Sequence, residues 1–305
     1  MGLRPLVERY RDRLPLAEDA PIVSLGEGST PLLPAPRLGS RLGAEIFLKW
    51  EGANPTGSFK DRGMTVAVSQ ALADGARGLV CASTGNTAAS AAAYAARAGL
   101  EALILLPEGA VAHGKLAQAR AVGAEIATRP TFEEALAEAR ELDAKGTHVL
   151  VNSLNPLRLE GQKTAAFEIV EELGGPPDVL ALPYGGGGNL SAYAKGFGEE
   201  GAEMPRFVAG EARERATTLA SAIRITEPAH REAAQRAVAE SGGAVVPVDD
   251  EAILSAWRLL AREEGVFCEP SSATGLAPLL ADPPGEARVV CIITGHGLKD
   301  VEALA

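Results

Sequence analysis

The chain has 305 residues, 46% of them hydrophobic and 23% charged, which is ordinary globular composition and enough length for roughly two domains. Its formal net charge of −11 argues against a nucleic-acid partner and against adhesion to anionic lipid. The N-terminal sequence MGLRPLVERYRDRLP is charged and lacks the apolar segment of a signal peptide. No run of about 18 apolar residues occurs, so we expect a cytoplasmic protein with no membrane partner.

An alternation of short apolar runs and longer amphipathic stretches predicts an α/β fold. Strands are predicted at 78–82, 102–106, 147–151, 179–183 and 289–294. Helices are predicted at 86–98, 132–145, 163–173 and 250–264. This rhythm is typical of open, mostly parallel twisted sheets flanked by helices. The loops that follow the strands then meet at one edge of each sheet, where ligands of such folds bind.

A single lysine lies on a tight turn ahead of a helical pattern. In the segment NPTGSFKDRGM, the turn residues Pro55 and Gly57 precede Lys60, and apolar periodicity begins at Met64. A lysine fixed by a turn can hold a carbonyl compound as a Schiff base. Considered alone, however, Lys60 fits a solvated surface charge better.

A polar loop, Ser83-Thr84-Gly85-Asn86-Thr87, follows the first predicted strand and opens a helix. The N–H groups and the positive dipole end at a helix start form an anion site, to which these hydroxyls and the amide add hydrogen bonds. The same side chains also suit a simple helix cap, and the local sequence alone favours the cap.

A run of glycines follows the strand predicted at 179–183. Gly185-Gly186-Gly187-Gly188-Asn189 would let the backbone approach a phosphate and turn its N–H groups toward it. A flexible turn is the alternative, but such a run between a buried strand and a helix costs conformational entropy. The run has neither the Gly-Lys-Ser/Thr of a P-loop nor the spaced glycines of a dinucleotide site.

Two other positions have ambiguous local signals. Arg158 can bind a phosphate or carboxylate through two parallel hydrogen bonds, although a lone arginine more often forms a surface ion pair. Thr294 ends the last predicted strand and, without its flanking residues, indicates only a strand end. Cys81, Cys268 and Cys291 do not have zinc-site spacing, which favours buried, reduced thiols and no metal site.

Taken together, these segments resemble the pyridoxal-phosphate enzymes of the tryptophan-synthase-β type, and within that group the threonine synthases. The resemblance extends from about Leu6 to Asp300. It implies a fold type II enzyme with two open sheets: a small α/β domain at 51–150 inserted in a larger one formed by 1–50 and 151–305. Pyridoxal 5'-phosphate is expected in the cleft between them, and a homodimer is expected.

The resemblance also implies a role for each marked residue. Lys60 is the expected catalytic residue and carries the cofactor. The other expected cofactor contacts are Asn86, Gly185, Gly186, Gly187, Gly188, Asn189 and Thr294, the last facing the pyridine nitrogen. The expected substrate contacts are Ser83, Thr84, Thr87, Lys115, Ser153 and Arg158, the last two on a substrate phosphate.

The implied reaction converts O-phospho-L-homoserine, a small amino-acid substrate, and water to L-threonine and phosphate. Two departures from the family pattern bear on the phosphorylated substrate, and the first of them favours an alternative, a serine or threonine dehydratase-like β-elimination enzyme. Gly186 stands where threonine synthases commonly have an asparagine, and the polar stretch 210–217 looks shorter than its counterpart in that family. A catalytically silent protein that binds a nucleotide through the glycine run is a further alternative, against which the intact lysine segment argues.

Overall fold

The computed structural model describes residues 4–109, 113–201 and 203–301, so the charged N-terminal segment is described from Arg4 onward. It divides into two compact units. The first unit comprises the chain up to Gly28 together with Asn54–Gln162. The second comprises Ser29–Ala53 and the chain from Lys163 onward. Both units are built on open sheets with helices, which confirms the predicted fold class.

The strands, in chain order, are β1 (Leu32–Pro34), β2 (Glu45–Trp50), β3 (Gly78–Ala82), β4 (Glu101–Pro107), β5 (Glu125–Arg129), β6 (Val149–Leu150), β7 (Val179–Pro183), β8 (Arg206–Ala212), β9 (Ala244–Val248) and β10 (Arg288–Ile293). The helices are α1 (Leu6–Arg9), α2 (Pro36–Leu42), α3 (Lys60–Ala73), α4 (Asn86–Ala98), α5 (His113–Ala121), α6 (Phe132–Ala144), α7 (Pro156–Leu173), α8 (Gly188–Glu199), α9 (Arg231–Glu240), α10 (Asp250–Glu263), α11 (Pro270–Ala273) and α12 (Ala277–Ala281).

The first unit has a parallel sheet with the strand order β5-β4-β3-β6. Strand β3 is buried along its whole length, because helices cover its apolar side chains. The alanine-rich helix α4 contributes Ala88, Ala91 and Ala95 to this core, and such small side chains allow close packing on the sheet. Since β3 and β6 are parallel neighbours, the polar loop after β3 and the segment after β6 leave the same edge of the sheet.

The N-terminal segment belongs to this first unit, so the bounds differ from the 51–150 expected from the sequence. Val23 explains the attachment: its N–H donates to Ser69 Oγ at 3.0 Å, and its carbonyl accepts from Thr65 Oγ1 at 2.6 Å. Tyr94 on α4 also donates to Glu27 at 2.6 Å. Composition shows none of these contacts, because they join residues distant in sequence.

The second unit has the strand order β1-β2-β10-β7-β8-β9. Strand β1 is antiparallel to β2, and the other pairs are parallel. The two central strands, β7 and β10, are neighbours, with Cys291 opposite Ala181. Their carboxyl ends therefore bring the glycine run and Thr294 to the same edge of this sheet.

Some predicted bounds were wrong. The strand predicted at 147–151 is paired only over Val149–Leu150, and the helix predicted at 163–173 begins earlier, at Pro156. The polar stretch 210–217 begins inside β8, whose pairing with β7 reaches Gly210. Within the described ranges, none of the helices is both long and apolar enough to cross a membrane.

Candidate active site

The lysine turn, defined as residues 54–61, places Lys60 at the first position of α3. Gly57 has φ 83° and donates its N–H to Asn54 O at 2.8 Å, which closes the turn predicted from the sequence. The Lys60 side chain is half-buried, and its Nζ lies 4.4 Å from the centroid of the Phe59 ring. A cation at this distance is attracted by the ring face, which restrains where the amine points.

A buried carboxylate next to the lysine holds this turn in place. Asp61 is 0% exposed and accepts hydrogen bonds from Thr56 N at 2.7 Å and Thr56 Oγ1 at 2.6 Å. It also accepts from Ser90 Oγ of α4 at 2.6 Å. The carboxylate thus fastens the turn both to itself and to a neighbouring helix. The sequence analysis missed this set; its only local signal was the acid beside Lys60, because Ser90 is distant in sequence.

Arg158 lies against the backbone of Lys60. Its Nη1 donates to Val151 O at 2.6 Å, and its Nη2 lies 3.5 Å from Lys60 O. Helices α3 and α7 meet here in close contact: a Cβ at Gly63 would overlap the backbone of Arg158, and one at Gly161 would overlap Arg62 O. The structure therefore places Arg158 beside the lysine turn and not in a surface ion pair.

The guanidinium of Arg158 has no direct ion-pair partner in the described part of the chain. The residue is 0% exposed, forms no ion pair with a described carboxylate, and its Nε has no hydrogen-bond partner there. Burial lowers the pKa of its guanidinium to about 10, and the electrostatic influence of Cys81 and Asp61 opposes the shift. A buried cation without a direct ion-pair partner is costly, so an anion bound here would be favoured.

The polar loop, defined as residues 83–87, does not cap helix α4 with a side chain. The helix begins at Asn86 after Gly85, and no side-chain hydrogen bond caps it. Ser83 Oγ accepts instead from Gly85 N within the loop, at 3.2 Å. Ser83, Thr84 and Thr87 are half-buried, and Asn86 is buried. The absence of a side-chain cap argues against the helix-cap interpretation, and the positive end of the α4 dipole suits an anionic ligand.

An asparagine joins the segment after β6 to the last residue of β3, which directly precedes the polar loop. Asn152 Nδ2 donates to Ala82 O at 2.8 Å, and its Oδ1 accepts from Ala82 N at 2.9 Å. These two hydrogen bonds continue the pairing of β3 with β6 through a side chain. They place half-buried Ser153 near the start of the polar loop. The sequence analysis did not single out Asn152.

Lys115 is on helix α5 and is 3% exposed. One turn further on, Gln118 Nε2 lies 3.4 Å from Thr56 O, so α5 packs against the lysine turn. The first unit therefore contains the lysine turn, the polar loop, Ser153, Arg158 and Lys115, and their roles remain predictions.

The glycine loop, defined as residues 185–189, joins β7 to α8 in the second unit. Gly185 O accepts from Arg215 Nη1 at 3.1 Å, and Gly186 O accepts from His230 N at 3.0 Å. In a trans peptide the C=O and the following N–H point in opposite directions, so the N–H groups of Gly186 and Gly187 point away from these donors. These two N–H groups directly precede the first N–H groups of α8 in the chain. Such a series of N–H groups at a helix start suits a phosphate.

Two further observations fit a phosphate at the glycine loop. Gly187 is the N-cap of α8 with φ 83°, and a Cβ there would lie 2.8 Å from His230 O. The Nδ2 atom of Asn189 is buried and has no hydrogen-bond partner among the described residues, so it can donate to a ligand. The loop is held by defined contacts, which argues against the flexible-turn alternative.

Thr294 follows β10 and is 8% exposed. Its Oγ1 lies 3.0 Å from Ser272 Oγ, which also accepts from Gly295 N at 2.9 Å. These contacts fix the hydroxyl of Thr294 at the sheet edge shared with the glycine loop. Ser272, in the short helix α11, was not found from the sequence, because no local pattern connects it to Thr294.

Comparisons with known proteins agree with this chemistry. Residues 23–295 match the family described as pyridoxal-phosphate dependent enzyme. A threonine synthase of Synechocystis sp. is 50% identical over 97% of this chain and 84% of that protein. Among solved structures, maize serine racemase matches with TM-score 0.79 and 26% identity, covering 90% of each chain. A threonine deaminase of T.th. matches with TM-score 0.72 and 30% identity, covering 87% of this chain and 92% of that one.

Proposed function

Because the chain belongs to the family of pyridoxal-phosphate-dependent enzymes, we propose that it is a cytoplasmic threonine synthase. Its substrate is O-phospho-L-homoserine, and with water it forms L-threonine and phosphate. The observation that carries this choice of substrate is Arg158, a buried cation beside the lysine turn that forms no direct ion pair with a described carboxylate. A phosphorylated substrate supplies that negative charge, whereas serine and threonine do not.

The described residues fit the cofactor. The glycine loop holds its phosphate through N–H groups and Asn189, while Asn86 contacts the ring hydroxyl. Thr294 faces the ring nitrogen, and its neutral hydroxyl does not hold that nitrogen protonated as a carboxylate would. When bound, pyridoxal phosphate supplies an electron sink for negative charge on the substrate carbons. Asn86 lies in the first unit, and the glycine loop and Thr294 lie in the second.

The remaining roles fall to the lysine turn and the polar loop. Lys60 would hold the cofactor, and its amine would move protons at the substrate Cα and Cβ. Ser83, Thr84 and Thr87 bind the substrate α-carboxylate at the start of α4, where the helix dipole favours an anion.

Ser153 and Arg158 bind the substrate phosphate. As phosphate leaves Cγ, the guanidinium stabilises the charge that collects on the leaving oxygen. Lys115, buried near the lysine turn, supplies further positive charge. Arg158 is fully buried, so the phosphate must displace some of the surrounding packing to reach it.

A serine or threonine dehydratase is the second candidate, and one observation favours it. Gly186 carries no side chain, so the glycine loop lacks the asparagine that the threonine synthase pattern places there. The chain is also 30% identical to a threonine deaminase, but this is well below its 50% identity to a threonine synthase.

One assay separates the two candidates. The purified holoenzyme is incubated with O-phospho-L-homoserine in heavy-oxygen water, and phosphate, threonine and 2-oxobutanoate are measured. We expect phosphate and threonine in equal amounts, with the label at the threonine β-hydroxyl and none in the phosphate, because the carbon–oxygen bond breaks. Labelled phosphate would show simple hydrolysis of the ester. Efficient deamination of threonine without phosphate release would establish the dehydratase.

We also propose a homodimer, to be tested by light scattering on the purified holoenzyme. A molar mass equal to that of one chain would overturn this assignment.

A further inference from the structure

The polar stretch 210–217 contains an arginine whose contacts converge on the glycine loop. Arg215 Nη1 donates to Gly185 O at 3.1 Å and to Ile225 O at 2.8 Å. The side chain is largely buried, with 14% of its surface exposed. Nothing in the proposed reaction uses this residue, yet it contacts the backbone that we assign to the cofactor phosphate.

Two other contacts fix the plane of this guanidinium. Its Cζ lies 4.9 Å from the centroid of the Tyr184 ring, the residue that precedes the glycine loop. Glu211, at the end of β8, accepts from Arg215 Nε at 3.2 Å, and its other oxygen lies 3.1 Å from Nη2. The guanidinium is thus held between an aromatic face and a carboxylate, and it can present its Nη1 in only one direction.

That direction determines the orientation of a peptide group. The bond from Arg215 turns the Gly185 carbonyl toward the protein, so the N–H of Gly186 in the same trans peptide points the opposite way. His230 N orients the next peptide group in the same sense through Gly186 O. Because Gly186 has no side chain to restrict the backbone, the peptide group between Gly185 and Gly186 depends on its hydrogen bonds for its orientation.

We infer that Arg215 is a positioning residue for the cofactor phosphate. It does not contact the phosphate. It holds the Gly185 carbonyl so that the Gly186 N–H is preset toward the phosphate oxygens. The inference rests on the proposed role of the glycine loop in binding the cofactor, and it is independent of which amino acid the enzyme transforms.

Lysine cannot replace arginine in this role. A lysine keeps the positive charge, but its single nitrogen cannot bind two carbonyls and both carboxylate oxygens in the arrangement that the guanidinium has here. Charge and geometry can therefore be separated by comparing Arg215→Lys with Arg215→Ala. Arg213 in the same stretch is exposed, so Arg213→Ala is a matched control for the loss of one arginine.

The test compares two ligands that differ only in the phosphate. Apoenzyme of the wild type and of each variant is titrated with pyridoxal 5'-phosphate and with pyridoxal, and binding is followed by absorbance. Arg215→Ala should weaken binding of the phosphorylated ligand by roughly tenfold to a hundredfold, the range for loss of a hydrogen bond from a charged group. Binding of pyridoxal should change by less than about twofold, and Arg213→Ala should change neither.

Each other outcome overturns the inference. Equal losses for both ligands, with a lowered melting temperature of the apoenzyme, would assign Arg215 a general structural role. Full affinity for the phosphorylated ligand in Arg215→Lys would show that charge alone suffices. That variant also decides the question if Arg215→Ala does not fold. A wild type that binds pyridoxal as tightly as its phosphate would show that the glycine loop holds no phosphate, whatever reaction the enzyme catalyses.

Discussion

The lysine turn and the glycine loop each hold groups in a fixed orientation, but the groups that they hold and the contacts that hold them differ. In the lysine turn the functional group is a side chain, and other side chains hold it, chiefly Asp61 with Thr56 and Ser90. In the glycine loop the groups assigned to the cofactor phosphate are backbone N–H groups, and hydrogen bonds from Arg215 and His230 N to the carbonyls of the same peptide groups orient them. The lysine turn should therefore be sensitive to deleting side chains and the glycine loop to adding them.

The largest effect is expected when the functional side chain itself is removed. Lys60→Ala should lower turnover by roughly a thousandfold or more, because both the attachment of the cofactor and the proton transfers are lost. Borohydride reduction of the wild-type holoenzyme should link the cofactor to the peptide that contains Lys60, and the variant should give no such peptide. Lys145→Ala is the control, since this lysine is 59% exposed and pairs with Glu141 on the same helix face. Wild-type turnover in Lys60→Ala would end the assignment.

The next largest effect concerns the residue that holds the lysine turn. Asp61→Ala removes a buried acceptor of three hydrogen bonds and should lower the free energy of unfolding by about 3–5 kcal/mol, as measured by urea denaturation. Asp74→Ala, at the exposed end of the same helix, should cost less than about 1 kcal/mol. If the two variants were equally stable, the lysine turn would not depend on its carboxylate.

A smaller effect is expected from adding one methyl group to the glycine loop. Gly187→Ala forces a side chain into φ 83° and against His230 O, so cofactor affinity should fall about tenfold, corresponding to ~1–2 kcal/mol of strain. Gly198→Ala, in helix α8 with open space around it, should leave affinity unchanged and stabilise the fold by about 0.5–1 kcal/mol. Equal affinities in both variants would mean that no phosphate approaches the loop closely.

The smallest effect is expected in the reactivity of two buried cysteine thiols. Cys81 lies in the first unit and Cys291 in the second, so each thiol indicates the local stability of its own unit. Burial raises the pKa of the Cys81 and Cys291 thiols to about 12. Both folded pKa values exceed that of an unfolded thiol, about 8.5. Their contribution to stability is therefore complete below about pH 8.5 and is lost as the pH rises toward the folded values.

Alkylation at pH 8, followed by mass spectrometry, tests this comparison. Both thiols should remain unmodified in the native wild type, because they are protonated and buried. In Asp61→Ala, Cys81 of strand β3 should become labelled faster, whereas Cys291 of the other unit should not. Equal acceleration at both thiols would show that the lysine turn is not a local element of its unit.

Local patterns predicted the elements that carry their own signals. Strands β3 and β7 have the predicted bounds because they are continuous apolar runs, buried along their length and bordered by turn residues. The lysine and glycine segments were found because their residue types are unusual at a strand end or a helix start. The roles assigned to their side chains remain predictions.

Contacts between distant parts of the chain could not be predicted. Ser90 binds Asp61, and Arg215 binds Gly185, across separations that depend on how the sheets fold. The attachment of the N-terminal segment to the first unit depends on contacts of Val23 with α3 in the same way. A sequence pattern shows which residues can form hydrogen bonds, but the partner is determined only by the folded chain.

The crossing of helices α3 and α7 limits how this enzyme can change. At Gly63 and Gly161 any larger residue would push apart the helix that begins with Lys60 and the helix that carries Arg158. Both positions are therefore expected to remain glycine, although neither is assigned to the substrate or the cofactor. Protein engineers who want this enzyme to accept a bulkier leaving group would have to leave this crossing intact, because even one methyl group at position 161 would meet backbone atoms of Arg62.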